Sequence, residues 1–204
     1  MQTKSETLRF IVLTFFVAIE LLLALTPLGY LNVGVISITL MHLPVILAGV
    51  FMGKKEGATI GFVFGLASFL RATFAPNLTS FCFTPFYSIG QIQGNFYSLL
   101  ICFGPRIFLG WLAGFLNDLG KERFPELPWM MVLSIICTFM HSISVMSLIW
   151  LFFGTAFASV VGVSVGAVIV SVLVSNGLLE MVVAGIIIPF VYHALKPIRE
   201  KMNI

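Results

Sequence analysis

The sequence predicts an all-α polytopic membrane protein: a bundle of six transmembrane helices, with a long outer loop between the third and fourth. Three observations predict it. Hydrophobic residues make up 59% of the 204 and charged residues only 9%, where a soluble domain carries about 25% charged residues. Apolar stretches of spanning length recur along the chain, separated by polar turns. Nine of the basic residues lie in alternate turns and in the tails, and the loops between them carry only Arg71. Residues 1–204 read as one membrane domain, and a net charge of +3 confined to turns gives no reason to expect nucleic acid.

The opening segment, MQTKSETLRF, is polar. An apolar run from Phe10 to Leu25 follows, broken by Thr14 and Glu20. No small-x-small cleavage site ends it and five more apolar segments come after, so it reads as the first membrane helix rather than a signal peptide. Pro27 and Gly29 close it, and Leu31 to Val35 form a short outer loop. The second helix is expected from Ile36 to Met52, with a kink where His42 and Pro44 interrupt it. A tight basic turn, Gly53-Lys54-Lys55-Glu56-Gly57, leads to a third helix from Ala58 to Leu70. There Gly61 and Gly65 make a GxxxG face, which lets helix backbones approach where lipid supplies no hydrophobic drive.

Arg71 to Gln93 is the long loop, with Pro76, Pro85, Gly90 and five aromatic residues. Loops of that length are usually functional, and its aromatic content predicts a lid folded back over the bundle. The fourth helix spans Phe96 to Leu116 and carries Arg106 and the pair Gly110/Gly114. Its exit, NDLGKERFPELP, is the most charged stretch. The fifth covers Trp129 to Phe153 and the sixth Val163 to Tyr192, before a basic tail of Lys196, Arg199 and Lys201. Lys4, Arg9, Lys54, Lys55, Lys121, Arg123 and that tail fall on one side, and the opposite loops carry only Arg71. The asymmetry predicts cytoplasmic termini and an outward-facing aromatic loop.

Five ionisable groups fall near mid-membrane: Glu20, His42, Arg106, His141 and Glu180. Each lies roughly 16–24 Å from its cytoplasmic helix end at about 1.5 Å per residue. They come from five helices and converge only in the bundle interior. Facing lipid, a charged group costs about 2.5–3.5 kcal/mol, so pairing or ligand contact is expected. Two readings stay open. In one, Arg106 forms a structural ion pair with Glu180 or Glu20, and each histidine meets a hydroxyl or carbonyl. In the other, Arg106 anchors an anionic ligand, with Asn176 and Glu180, i and i+4 on one helix face, meeting its polar groups. Thr138, His141 and Ser144 form a further polar stripe.

Sites for the chain's own chemistry are missing from the pattern. There is no HExxH and no GxSxG. Gly49-Val-Phe-Met-Gly53-Lys54-Lys55 has three residues between its glycines and lysine where a phosphate loop needs serine or threonine. Cys82, Cys102 and Cys137 share no metal spacing and read as small apolar residues.

Here the chain resembles a known family. The segment ITLMHLPVILAGVFMGKKEGATIGFVFGLAS, the loop TSFCFTPFYS and GNFYSLLICFGPR are similar to the substrate-binding S component of energy-coupling factor (ECF) vitamin transporters, nearest the pantothenate-specific subtype. The resemblance covers nearly the whole chain. It implies a substrate-capture subunit in a bacterial cell membrane, working with a membrane coupling protein and two ATPase subunits that use the ATP. No cofactor, metal or catalytic residue is then expected on this chain. Arg106 is expected to bind the ligand carboxylate, with Asn95, Tyr97, His141, Asn176 and Glu180 on its other polar groups. Arg71, Thr84, Phe86 and His42 are expected in the pocket or lid. Family members often present an AxxxA motif to the coupling protein; the nearest equivalent here is Thr14-x-x-x-Ala18, with Glu20 turned about 200° away toward the bundle. Other readings are a biotin- or folate-like vitamin, an intramembrane metal enzyme built on His42, His141 and the two glutamates, or a structural scaffold.

Overall fold

The computed structural model describes residues 2–33 and 36–202. Helix α1 (Gln2–Leu25) leads into an antiparallel hairpin, β1 (Tyr30–Val33) and β2 (Ile36–Thr39). Helices α2 (His42–Met52) and α3 (Lys54–Phe74) follow. A 3-10 turn (Ser80–Cys82) and a two-residue hairpin, β3 (Ser88–Ile89) and β4 (Ile92–Gln93), precede α4 (Phe96–Gly120) and α5 (Glu126–Val161). The last rod is α6 (Val165–Val172), a π-helical turn (Leu173–Gly177) and α7 (Leu178–Lys201). Among the described residues α1, α3, α4, α5 and α7 are long and apolar enough to cross a membrane. The chain is an all-α, multi-pass membrane protein.

The second element differs from expectation. Residues Ile36–Thr39 pair as a strand with Tyr30–Val33, a choice suited to the β-branched Ile36, Ile38 and Thr39. The helix starts at His42, so Pro44 lies in its first turn, where a missing N–H costs nothing. The predicted kink is absent. At 11 residues α2 is about 16 Å long, too short to span alone. The expected five-residue turn also shrinks to Gly53, whose φ of 114° suits glycine, and α3 begins at Lys54 rather than Ala58. At its far end α3 runs through Arg71 to Phe74, which shortens the long loop, and that loop carries its own 3-10 turn and hairpin.

Every residue of α2 is buried, which makes it the axis of the bundle. Its neighbours α3 and α4 form the most extensive helix pair. Each predicted small-residue face packs there against the other helix, Gly61 and Gly65 on Arg106 and Phe103, Gly110 and Gly114 on Gly57 and Lys54. A Cβ on Gly110 would lie 1.9 Å from the Gly57 carbonyl oxygen, and one on Gly61 would lie 2.1 Å from that of Arg106. Only glycine permits this approach.

The charged helix ends gather at one face. Arg9 pairs with Glu56, Lys54 with Asp118 at 3.0 Å, and Lys196 with Glu126. Ser5 Oγ donates to the Met202 carbonyl at 2.7 Å, joining the two chain ends. At the opposite face the 75–95 loop folds back on the bundle. Phe81 and Cys82 are fully buried against Ile101 of α4 and Met146, Ile149, Phe153 and Phe157 of α5. The Ser98 hydroxyl donates to the Phe81 carbonyl at 2.7 Å.

Candidate functional site

Below that folded loop is a cavity of about 230 Å³ bounded by Thr39, Phe64, Arg106, His141, Asn176 and Glu180, with Ser142 and the apolar Val145 and Met146 on its α5 side. It draws on the β1–β2 hairpin, four helices (α3, α4, α5 and α7) and the π-helical turn. Asn176 sits in that turn, an irregularity often found at functional sites because it re-aims side chains.

The local sequence explains how Arg106 is held. Pro105 has no N–H to give the carbonyl four residues back, Ile101. Arg106 Nη1 takes over, donating to Ile101 O at 3.1 Å and to Cys102 O at 2.8 Å. The guanidinium therefore points back toward the start of α4, the end beside the folded loop. It lies between two rings, 4.9 Å from the centre of Phe64 and 5.4 Å from that of Phe83, a cation–π arrangement favoured away from water. Its Nε has no partner. Among the described residues no carboxylate forms an ion pair with it. Glu180 is committed elsewhere: its Oε1 accepts the Thr39 N–H at 2.8 Å. The structural Arg106–Glu180 pair weighed from sequence is thus absent. The arrangement presents one fixed cation, a carboxylate and an amide around a largely apolar space, which suits a small amphipathic anion.

The family model of the ECF transporter substrate-specific component matches residues 8–192. The chain belongs to this family. It is therefore the substrate-capture subunit of an ECF-type importer, and a transport protein rather than an enzyme. It is 32% identical over 199 residues to the pantothenic acid transporter PanT of Lactococcus lactis, covering 96% of this chain and 97% of that one. It is 31% identical over 117 residues to the pantothenate transporter PanT of Leuconostoc mesenteroides, covering 55% and 52% respectively.

In this S component the structure brings together Arg106, His141, Asn176 and Glu180 from the residues expected at the site. Glu20, His42, Arg106, His141 and Glu180 are all buried, each at most 7% exposed, and three of them, Arg106, His141 and Glu180, line the one cavity. His141 Nδ1 is 3.5 Å from the Pro105 carbonyl and its ring 5.9 Å from Phe64. His42 is buried near the backbones of Thr39 and Glu180, without a hydrogen bond of normal geometry.

Other expected residues stand apart. Asn95 caps α4, accepting from the Tyr97 N–H at 2.9 Å in a capping box with Ser98; this role, a helix-end requirement, removes it from the cavity. Tyr97 stacks outside on Phe152, ring centres 4.2 Å apart. Thr84 is buried but bonded to Thr73 Oγ1 at 2.8 Å, and Phe86 is exposed against Phe69. Arg71 is exposed in the last turn of α3. Thr14 and Ala18 share the exposed face of α1 while Glu20 is buried, as their angular separation required.

Sequence reasoning missed Phe64, Phe83, Thr39 and Met146. Phe64 stands beside Gly65 of the predicted small-residue face, and that closeness to α4 was the available signal. Nothing in the sequence marked Thr39, whose role depends on a distant glutamate.

Proposed function

We propose that this S component captures pantothenate from outside the cell and releases it inward when coupled to a membrane partner and two ATPases. The observation that carries the substrate is Arg106: a buried guanidinium at a cavity wall, with no carboxylate ion-paired to it among the described residues, needs an anion from elsewhere, because an uncompensated buried charge is costly. Pantothenate brings one carboxylate, and its amide and hydroxyl groups suit His141, Asn176 and Glu180. The similarity to transporters named for this vitamin supports the same reading. Six crossings fit it if the outer hairpin and α2 together complete the second. The charged face with both chain ends lies in the cytoplasm and the folded loop faces out, consistent with the positive-inside rule. Thr14 and Ala18 offer small residues to the coupling protein. This chain carries no cofactor of its own on this reading, and ATP belongs to the partners.

A thermal-shift screen of the purified protein against water-soluble vitamins tests the assignment. Pantothenate should raise the melting temperature in a concentration-dependent way, by mass action on the native state. A response only to another vitamin would sink it.

A further inference from the structure

The folded 75–95 loop reaches Arg106 as well as covering the bundle. The ring centre of Phe83 lies 5.4 Å from the Arg106 guanidinium carbon, within cation–π range. Phe64 of α3 makes a similar contact at 4.9 Å, but Phe64 also lines the cavity and Phe83 does not. Phe83 therefore touches the cation without bordering the space a ligand would fill. An aromatic ring attracts a guanidinium through its electron-rich face and consumes none of its N–H donors in a conventional hydrogen bond. The contact thus steadies Arg106 while leaving its donors, the unpartnered Nε–H among them, uncommitted.

Phe83 is itself held on both flanks. Its N–H donates to the Ser80 carbonyl at 2.9 Å, and the Thr84 N–H donates to the same oxygen at 3.1 Å. Two residues back, the Phe81 carbonyl accepts from Ser98 Oγ of α4 at 2.7 Å. On the other side, the Thr84 hydroxyl is bonded to Thr73 Oγ1 of α3 at 2.8 Å. The returning chain closes on this turn, since a Cβ on Gly94 would lie 1.9 Å from the Thr84 carbonyl oxygen. The ring is therefore fixed by the fold. Arg106 is a long side chain with many rotamers, tied to the protein by hydrogen bonds from Nη1. We infer that Phe83 is a positioning residue for the substrate. Its ring orders the Arg106 guanidinium before the ligand arrives, which makes the loop part of what selects a carboxylate-bearing vitamin. A cation ordered in advance spares the binding step that loss of freedom, and only a ligand that uses the cation benefits. This inference rests on the proposed anionic substrate.

The test measures affinities for pantothenate and its uncharged alcohol on wild type, Phe83→Leu, Phe83→Tyr and Phe86→Leu. Melting temperatures report folding. Phe83→Leu keeps apolar bulk and removes the ring face. It should weaken pantothenate about tenfold and the alcohol no more than about twofold. Phe83→Tyr keeps the ring and should keep the preference for the acid. Phe86→Leu should keep it too, because Phe86 is an exposed ring of the same loop that packs on Phe69. Should leucine lower the melting temperature, Phe83→Met, also without a ring but adaptable to irregular gaps, repeats the comparison. Equal weakening of both ligands on removal of the ring gives Phe83 a packing role and overturns the inference. Loss of preference in Phe83→Tyr or Phe86→Leu to the same extent as in Phe83→Leu assigns the effect to the loop as a whole and overturns it as well. Wild type without a preference for the acid refutes the anionic substrate and this inference together. A wild-type preference that survives in Phe83→Leu refutes the inference alone.

Discussion

The backbone N–H of Thr39 donates to Oε1 of Glu180 at 2.8 Å, joining the end of the β1–β2 hairpin to α7 across 141 residues of sequence. This bond closes one wall of the cavity and occupies one oxygen, Oε1, of the cavity-lining Glu180. A hydrogen bond to a charged acceptor contributes about 1.5–3 kcal/mol. Glu180→Ala should therefore weaken ligand binding roughly tenfold to a hundredfold and speed hydrogen exchange at the Thr39 amide. Glu180→Gln retains an acceptor and should lose less. Weakened binding with unchanged exchange would place Glu180 on the ligand rather than on the hairpin.

Arg106 makes the sharpest substrate test. Its removal harms both a scaffold and a binding site, so the single variant decides little. A double cycle does, because it isolates the pairwise term. Affinities for pantothenate and its uncharged alcohol are measured on wild type and Arg106→Ala. Pantothenate should suffer far more, by tenfold or greater given about 1.5–3 kcal/mol for a charge-assisted bond. Equal weakening would assign Arg106 to the fold. Arg106→Lys should rescue poorly, since an ammonium lacks the planar fork that fits a carboxylate.

The α3–α4 seam predicts a contrast between two glycines six positions apart. A Cβ on Gly110 meets the Gly57 carbonyl at 1.9 Å, while one on Gly104 meets nothing closer than Leu100 Cδ1 at 3.6 Å. Gly110→Ala forces two backbones apart and should cost about 1–3 kcal/mol or more. Gly104→Ala should be neutral or gain up to about 1 kcal/mol of helix propensity. Thermal melts in detergent compare them; similar melting points would mean the helices separate easily.

Cysteine accessibility tests orientation. Burial pushes the Cys82 thiol up to about 12, and only the thiolate reacts. The sign is plain: at neutral pH, far below that value, Cys82 stays protonated and inert, and labelling needs unfolding or strongly alkaline pH. Cys102 and Cys137 are buried too, so an impermeant maleimide should leave the native protein unlabelled on intact cells. Asn77→Cys should then be labelled and Glu122→Cys should not. The opposite pattern would invert the topology.

On α1, Ala18→Trp should abolish uptake by the assembled transporter while ligand affinity stays within about twofold, since Ala18 faces away from the bundle and close packing needs small residues. Loss of both together would mean that this face packs within the S component.

Hydropathy and charge placement determined the class of this protein, its apolar helices and their common charged end, because each is a property of segments taken singly. The cost of placing Arg106, His141 or Glu180 in an apolar run likewise marked those residues as interior from the sequence alone. Contacts between segments are a different matter. The β-branched run Ile36–Thr39 and Asn95 just ahead of α4 carried local strand and cap preferences, but only the folded chain shows that Ile36–Thr39 pairs with Tyr30–Val33 and that Asn95 is spent on the helix end. Pro105 was visible, yet only the folded helix showed that its missing N–H releases the Ile101 carbonyl to Arg106. The choice between an Arg106–Glu180 pair and an open cation was settled by Thr39, a backbone donor whose reach depends on how a hairpin lands on a distant helix.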